Sequence, residues 1–291
     1  MKYAWIAQQD AWPAEWMCNA LGVSASGYAA WKRGGCCSKR LTDTQLLALI
    51  RTIHKESRGA YGAPRIWEEM KARGLPAGKE RIRKLMQANG IRERHKRRYK
   101  ATTDSKHSFP VAPNVLNRQF RTARPDQAWV ADITYLPTAE GWLYLAAVMD
   151  LHTRMIVGWA MDSRMTRDLV IGALRMARFR RKPRAGLIHH SDRGSQYASH
   201  DYQAVLKEYG MTASMSRKGN CWDNAPMESF FNSLKNERTH HQRYATREEA
   251  RQDTFEYIEV FYNRSRRHSV LGYQSPAAFY ANWLNQQKLA A

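Results

Sequence analysis

Residues 129–162, WVADITYLPTAEGWLYLAAVMDLHTRMIVGWAMD, contain three apolar runs rich in β-branched and aromatic side chains: WVADITYL, WLYLAAVM and RMIVGWAM. Gly141 separates the first two, and the polar Asp150–Thr153 segment separates the second from the third. Short runs of this kind with brief breaks predict an antiparallel meander of three strands. The pattern then changes. Residues Arg167–Phe179 place Leu169, Val170, Ala173, Leu174 and Ala177 at helical spacing. A fourth strand is expected over Gly186–His190, a helix near Tyr202–Tyr209 and a fifth strand near Thr212–Ser216.

The order βββαβαβ is a layered α/β arrangement, and it matches the ribonuclease H fold: a five-stranded mixed sheet with flanking helices. In that topology the first and fourth strands are neighbours. Asp132 lies inside the first strand, where a charge is costly unless paired or coordinated. Asp192 directly follows the fourth strand, in HHSDRGSQY. Glu228 lies in CWDNAPMESFFNSLKNER, read as a helix beginning near Asn224 and packed beside the other two. A lone aspartate at a strand end is more often a cap or turn residue, and Asp150 is read that way. Three carboxylates converging on one place raise one another's pKa values and persist when divalent cations neutralise them. Their hard oxygens suit Mg²⁺, with Mn²⁺ as a substitute. Two ions about 3.5–4 Å apart can hold the attacking and leaving oxygens of an in-line phosphoryl displacement. Lys235, seven residues after Glu228, returns to nearly the same helix face and can hold a phosphate there.

The chain's 291 residues carry 47 Lys and Arg against 26 Asp and Glu, a net charge of +21, unevenly placed. Residues 1–125 have 25 basic and 9 acidic side chains, net +16, whereas residues 126–237 are only +2 and 238–291 +3. A basic front half joined to a nearly neutral middle points to a polyanion, and nucleic acid is the obvious one. Residues 41–90 read as three short helices with glycine-containing turns. The last, near Lys79–Asn89, buries Ile82, Leu85 and Met86 and turns Lys79, Arg81, Arg83 and Lys84 outward. That is a helix-turn-helix pattern. The following run, IRERHKRRYK, adds Arg94, Lys96, Arg97 and Arg98 as candidate phosphate contacts. Arg217, Lys218 and Trp222, in SRKGNCWDNAP, are further candidates, with Gly219 permitting close backbone approach. Asp223 and Asn224 are read as helix caps, and His189 and His190 as structural.

The expected organisation is an N-terminal helical segment (1–40), a helix-turn-helix-like DNA-binding domain with basic tail (41–100), a linker (101–125), the catalytic core (126–237) and C-terminal helices (238–291). No apolar run approaches the roughly 18 residues of a spanning helix, and Asp10 and Pro13 interrupt any leader-like core. Cys18, Cys36, Cys37 and Cys221 form no CxxC pair, so neither a disulfide scaffold nor structural zinc is expected. A reducing cytoplasm fits.

WVADITYL, HSDRGSQY and DNAPMESFFNSLKNE resemble the catalytic segments of insertion-sequence transposases of the "IS three" family, OrfB part, within the retroviral-integrase superfamily. The 35 residues between Asp192 and Glu228 match that family's second spacing. YGAPRIWEEM upstream and FYNRSRRHSVLGYQSPAAFY downstream extend the resemblance over nearly the whole chain. It implies a DDE transposase/integrase that cleaves transposon-end DNA and joins a 3′-hydroxyl to another strand. Asp132, Asp192 and Glu228 are then the metal-binding triad and Lys235 a DNA contact. Implied partners are the terminal inverted repeats and target DNA, an upstream OrfA product or OrfAB fusion, and further copies of the chain on DNA. Two rivals remain: a ribonuclease H-type endonuclease, which would normally carry a Glu on the helix after the third strand, and a non-catalytic DNA-binding regulator.

Overall fold

The computed structural model describes residues 2–32, 41–94, 109–218 and 220–290. Lys96, Arg97, Arg98, Cys36, Cys37 and Gly219 lie outside the described residues. The chain forms two compact units, Met1–His54 with Ile66–Ile91, and Lys55–Arg65 with Arg92–Ala291.

The first unit is helical: α1 (Lys2–Ile6), α2 (Ala14–Ala20), α3 (Ala25–Lys32), α4 (Asp43–Glu56), α5 (Ala63–Ala72) and α6 (Lys79–Ala88). Helix α1 has no counterpart in the sequence reading, because five residues are too few to show a period. Ile6, Met17, Cys18 and Tyr28 make one small core. The apolar stripes of α4 to α6 are buried at Leu46, Ile50, Ile53, Ile66, Met70, Ile82 and Met86. Gly90 takes φ +65°, and Ile91 N–H then bonds back to the Met86 carbonyl at 2.9 Å. This is the left-handed glycine stop common at helix ends.

In the second unit, β1 (Ala128–Thr138), β2 (Gly141–Asp150), β3 (Ile156–Asp162), β4 (Ile188–Ser191) and β5 (Thr212–Met215) form one sheet in the order β3-β2-β1-β4-β5. The β1–β2 and β2–β3 pairs are antiparallel, and β1–β4 and β4–β5 are parallel. The ribonuclease H-like topology, with the first and fourth strands adjacent, is therefore present. One face, with Trp129, Ala131 and Val148, is covered by α7 (Arg167–Arg181), α8 (Ser195–Ala198) and α9 (His200–Glu208). The other, with Val130, Ala147 and Met149, packs on α10 (Ala225–Glu237) and on the π-helical turn Glu256–Tyr262 that continues α11 (Arg247–Phe255). Successive strand residues point to opposite faces. A sheet covered on both faces needs apolar residues at both parities, which is why these strands read as nearly continuous hydrophobic runs. The last helix is α12 (Pro276–Ala290).

Asp150 does organise the β2–β3 turn. Its buried carboxylate accepts from Asp126 N–H, Thr153 N–H and the Thr153 hydroxyl at 2.9, 2.9 and 2.6 Å. The linker-like stretch behaves differently from its composition. Phe109 and Ala112 pack against one core of the sheet, and Leu116 and Phe120 against the other. Isolated side chains plugged into a core leave no period to detect.

Helix α7 lies very close to β3 at Gly158. A Cβ there would sit 2.6 Å from the Ala177 nitrogen and closer still to the Ala173 carbonyl. Gly158→Ala should therefore lower unfolding stability by about 1–3 kcal/mol, the usual cost of overpacking. An unchanged urea midpoint would show that the helix yields freely.

Candidate active site

Strand β1 is central in the sheet, and Asp132 is opposite Ala147 of β2. On its other side Val130 is in register with His190 of β4. Asp132 comes two residues after Val130 in β1, and Asp192 comes two residues after His190, directly beyond the end of β4. Backbone amides orient both: Asp132 Oδ1 accepts from Ile133 N–H at 2.8 Å, and Asp192 Oδ1 from Gly194 N–H at 2.9 Å. Burial pushes the Asp132 carboxyl well above the ordinary range, and the charge on Asp192 pushes it further. Glu228 adds a smaller repulsion, while the Ile133 amide and Lys235 pull the other way.

Glu228 is in the first turn of α10, half-buried, and burial raises its pKa. It borders a cavity of about 780 Å³ that also reaches Trp222, Asn232 and Arg94. Lys235, on the same helix, is buried, with its ammonium 4.9 Å from the Tyr135 ring centroid. Burial brings its pKa down to about 8, with Asp132 opposing that shift. Among the described residues no three His, Cys, Asp or Glu side chains stand close enough to share one ion. The donor set still fits a hard divalent cation: it is all carboxylate oxygen, and Asp132 and Asp192 raise a mutual repulsion that a cation would relieve.

The cap reading of Asp223 and Asn224 needs correction. Asp223, fully buried, accepts from Arg217 N–H, Nε and Nη2 at 2.9, 3.0 and 2.9 Å, from Arg118 Nε at 2.7 Å and from Asn114 Nδ2 at 3.0 Å. Its donors are two arginine side chains, an asparagine and the Arg217 amide, not the first amides of α10. These arginines hold its pKa below the usual carboxylate range. Asn224 makes no side-chain cap either. Its Nδ2 donates to the Ala131 carbonyl at 3.1 Å, tying the start of α10 to the residue before Asp132. Sequence reasoning missed this link because it spans 93 residues.

The candidate DNA contacts are variously placed. Lys79 is 6.0 Å from the Trp67 ring, and Lys84 is exposed. Arg81 is held by Asp43 and the Leu41 carbonyl, and Arg83 by both Glu80 oxygens. Arg94 donates to the Glu237 carbonyl at 2.6 Å on the far end of α10. Lys218 is exposed, whereas Arg217 is exposed yet occupied by Asp223. Trp222 is 68% exposed. The two histidines are structural: His190 bonds Ser214 and Ser216, and His189 bonds Tyr202.

Comparison with known proteins adds to this geometry. The family described as Integrase core domain matches residues 122–221, and a second family of that description matches 228–284. HTH-like domain matches residues 41–99. The chain is 49% identical over 263 residues to the Insertion element IS600 uncharacterized 31 kDa protein of Shigella sonnei, covering 90% of this chain and 97% of that one. It is 41% identical over 282 residues to Transposase InsF for insertion sequence IS3A of Escherichia coli, covering 96% and 98%. Among solved structures, the catalytic core domain of BIV integrase aligns over 56% of this chain and 99% of its own, at 16% identity and a TM-score of 0.42. The HTLV-2 integrase catalytic core domain in complex with magnesium aligns over 55% and 99%, at 14% identity and a TM-score of 0.43. Among the described residues, no helix is long and apolar enough to cross a membrane.

Proposed function

The chain belongs to the IS3 family of insertion-sequence transposases, and from that premise we propose that Asp132, Asp192 and Glu228 are the carboxylates that act on the DNA phosphodiester. It is a DNA transposase of the integrase-core type, and that family is metal-dependent. The observation that carries the assignment is the topology: β1, which holds Asp132, lies beside β4, which Asp192 directly follows, and the Glu228 helix packs on the same sheet.

A divalent cation held by these oxygens, Mg²⁺ in the first instance and as a pair in the full proposal, would supply charge neutralisation and an activated nucleophile for in-line displacement. Asp132 and Asp192 are oriented for that task by the Ile133 and Gly194 amides. Glu228 borders a cavity that neither Asp132 nor Asp192 lines, so its longer side chain would have to turn toward them to complete the set. Asn224 holds its helix against β1. Lys235 is mostly protonated at neutral pH and balances Asp132, ready to meet a phosphate oxygen. Water is the nucleophile for nicking, and the freed 3′-hydroxyl for joining. The helix-turn-helix-like unit, with Lys79 and Lys84 on α6, binds the terminal inverted repeats; target DNA, an OrfA product and further copies of the chain complete the proposed assembly.

The ribonuclease H-type rival is disfavoured by α7, which has no Glu and whose Asp168 is exposed. The experiment is incubation of the purified chain with duplex carrying the element's own ends, in Mg²⁺. Nicking at the ends followed by strand joining is expected. Cleavage of RNA–DNA hybrids with none of DNA ends would favour the rival, and binding without either reaction the regulator.

A further inference from the structure

Helix α10 has two contrasting faces. Met227, Phe230, Phe231 and Leu234 are buried in the core of the sheet. Ser229, Asn232, Ser233 and Asn236 recur at helical spacing and line the cavity of about 780 Å³ that Glu228 borders. Every residue lining it belongs to the second unit, and its other walls come from the stretches 60–65, 93–94 and 266–273, with Trp222 and Ala225 beside the start of α10. Its size is typical of a ligand pocket.

The charged groups lining it balance, Arg65, Arg94 and Arg266 against Glu93, Glu228 and Glu237. All three arginines are engaged at Glu237: Arg266 through both carboxylate oxygens, Arg65 at 3.9 Å and Arg94 through the backbone carbonyl. Phosphate binding draws on a surplus of cationic side chains, and these lining residues offer no surplus. The serine hydroxyls and asparagine amides instead present donors and acceptors, which suit an uncharged polar ring.

Trp222 lines the same cavity and is largely exposed. Core packing does not hold the indole, yet its backbone is fixed. Asp223, next in the chain, is bound by Arg118, Arg217 and Asn114, and Asn224 is tied to the Ala131 carbonyl at 3.1 Å. A firmly mounted, solvent-open indole is a platform on which a base can stack. A base inside a duplex has its faces and its pairing edge already taken, so only an unpaired one can use both the indole and the polar face of α10.

We propose that this cavity is a nucleobase subsite, in which an unpaired base of the DNA end stacks on Trp222 and hydrogen-bonds the serine and asparagine side chains of α10. The inference rests on the reading of Glu228 as a carboxylate that acts on DNA, and it places the bound base next to the phosphodiester that Glu228 serves.

The test uses the full chain and its Trp222→Ala and Trp222→Phe variants, titrated in EDTA against two duplexes of the element's own end, one fully paired and one mismatched over its last few base pairs. A mismatched base is the cheapest to unstack and unpair, so the parental chain should bind the mismatched duplex about 10-fold more tightly. Trp222→Ala should bind the two alike, and Trp222→Phe should keep most of the preference. Both variants should unfold at the parental temperature, because the side chain is exposed. A parental chain that binds the two duplexes alike, or a Trp222→Ala variant that keeps the preference, would overturn the proposal. A Trp222-dependent preference in a chain that never joins ends in Mg²⁺ would uphold the subsite and overturn the reading of Glu228 beneath it.

Discussion

Asp192→Asn is expected to reduce Mg²⁺-dependent joining of DNA ends by at least about 10³-fold, equivalent to about 4 kcal/mol of transition-state stabilisation. The substitution is nearly isosteric. Asn Oδ1 can still accept from Gly194 N–H, the bond that shapes the chain after β4. What disappears is one negative charge beside Asp132, and with it the repulsion that a cation is suited to relieve. DNA affinity should be largely unchanged, because the basic excess is in the first 125 residues, at net +16. Binding curves at two salt concentrations, alongside a joining assay, separate the two effects. Joining that persists in this variant would mean that the phosphodiester is handled elsewhere.

Glu237→Ala should cost about 3–5 kcal/mol of folding stability, the range found when one partner of a buried ion pair is removed. Arg266 is only 4% exposed at its side chain and meets both oxygens of Glu237, with the shortest contact at 2.6 Å. Tyr257 Oη donates to the same carboxylate at 2.8 Å. Burial works against the Arg266 charge, yet Glu237 more than offsets it and holds the guanidinium pKa above its ordinary value. Alanine would leave that guanidinium buried without a carboxylate partner, with Ser233 Oγ, His268 and the Tyr262 ring among the groups nearby. For a unit of this size the loss corresponds to a drop in unfolding temperature of roughly 6–20 °C. A fall of less than about 2 °C would show that Arg266 re-partners without difficulty. Because Glu237 ends α10, this pair also anchors the helix that carries Glu228 from its far end.

The sheet was readable from Trp129 onward because a buried strand needs apolar residues on both faces, and that requirement is visible in WVADITYL and WLYLAAVM. The candidate carboxylates stand out for the converse reason. A charge such as Asp132 inside such a run has no packing role. Less visible were contacts that depend on long-range closure. Asp223 looked like a helix cap, since sequence offers a cap at that spacing and does not reveal that Arg118, 105 residues earlier, competes for the same oxygens. Arg94 reads as a candidate phosphate contact, and nothing in the sequence reveals that it donates to the Glu237 carbonyl. The π-helical turn at Glu256–Tyr262 was equally hidden: it shifts the phase of the apolar side chains so that Tyr257, Ile258 and Tyr262 are all buried.

The most direct test is diffraction from crystals soaked in Mn²⁺, recorded at a wavelength where that ion scatters anomalously. The account predicts anomalous density bounded by the oxygens of Asp132 and Asp192, with Glu228 turned in to join them. Ions bound only at other places, with Glu228 still facing the cavity and the two aspartates without metal, would contradict it.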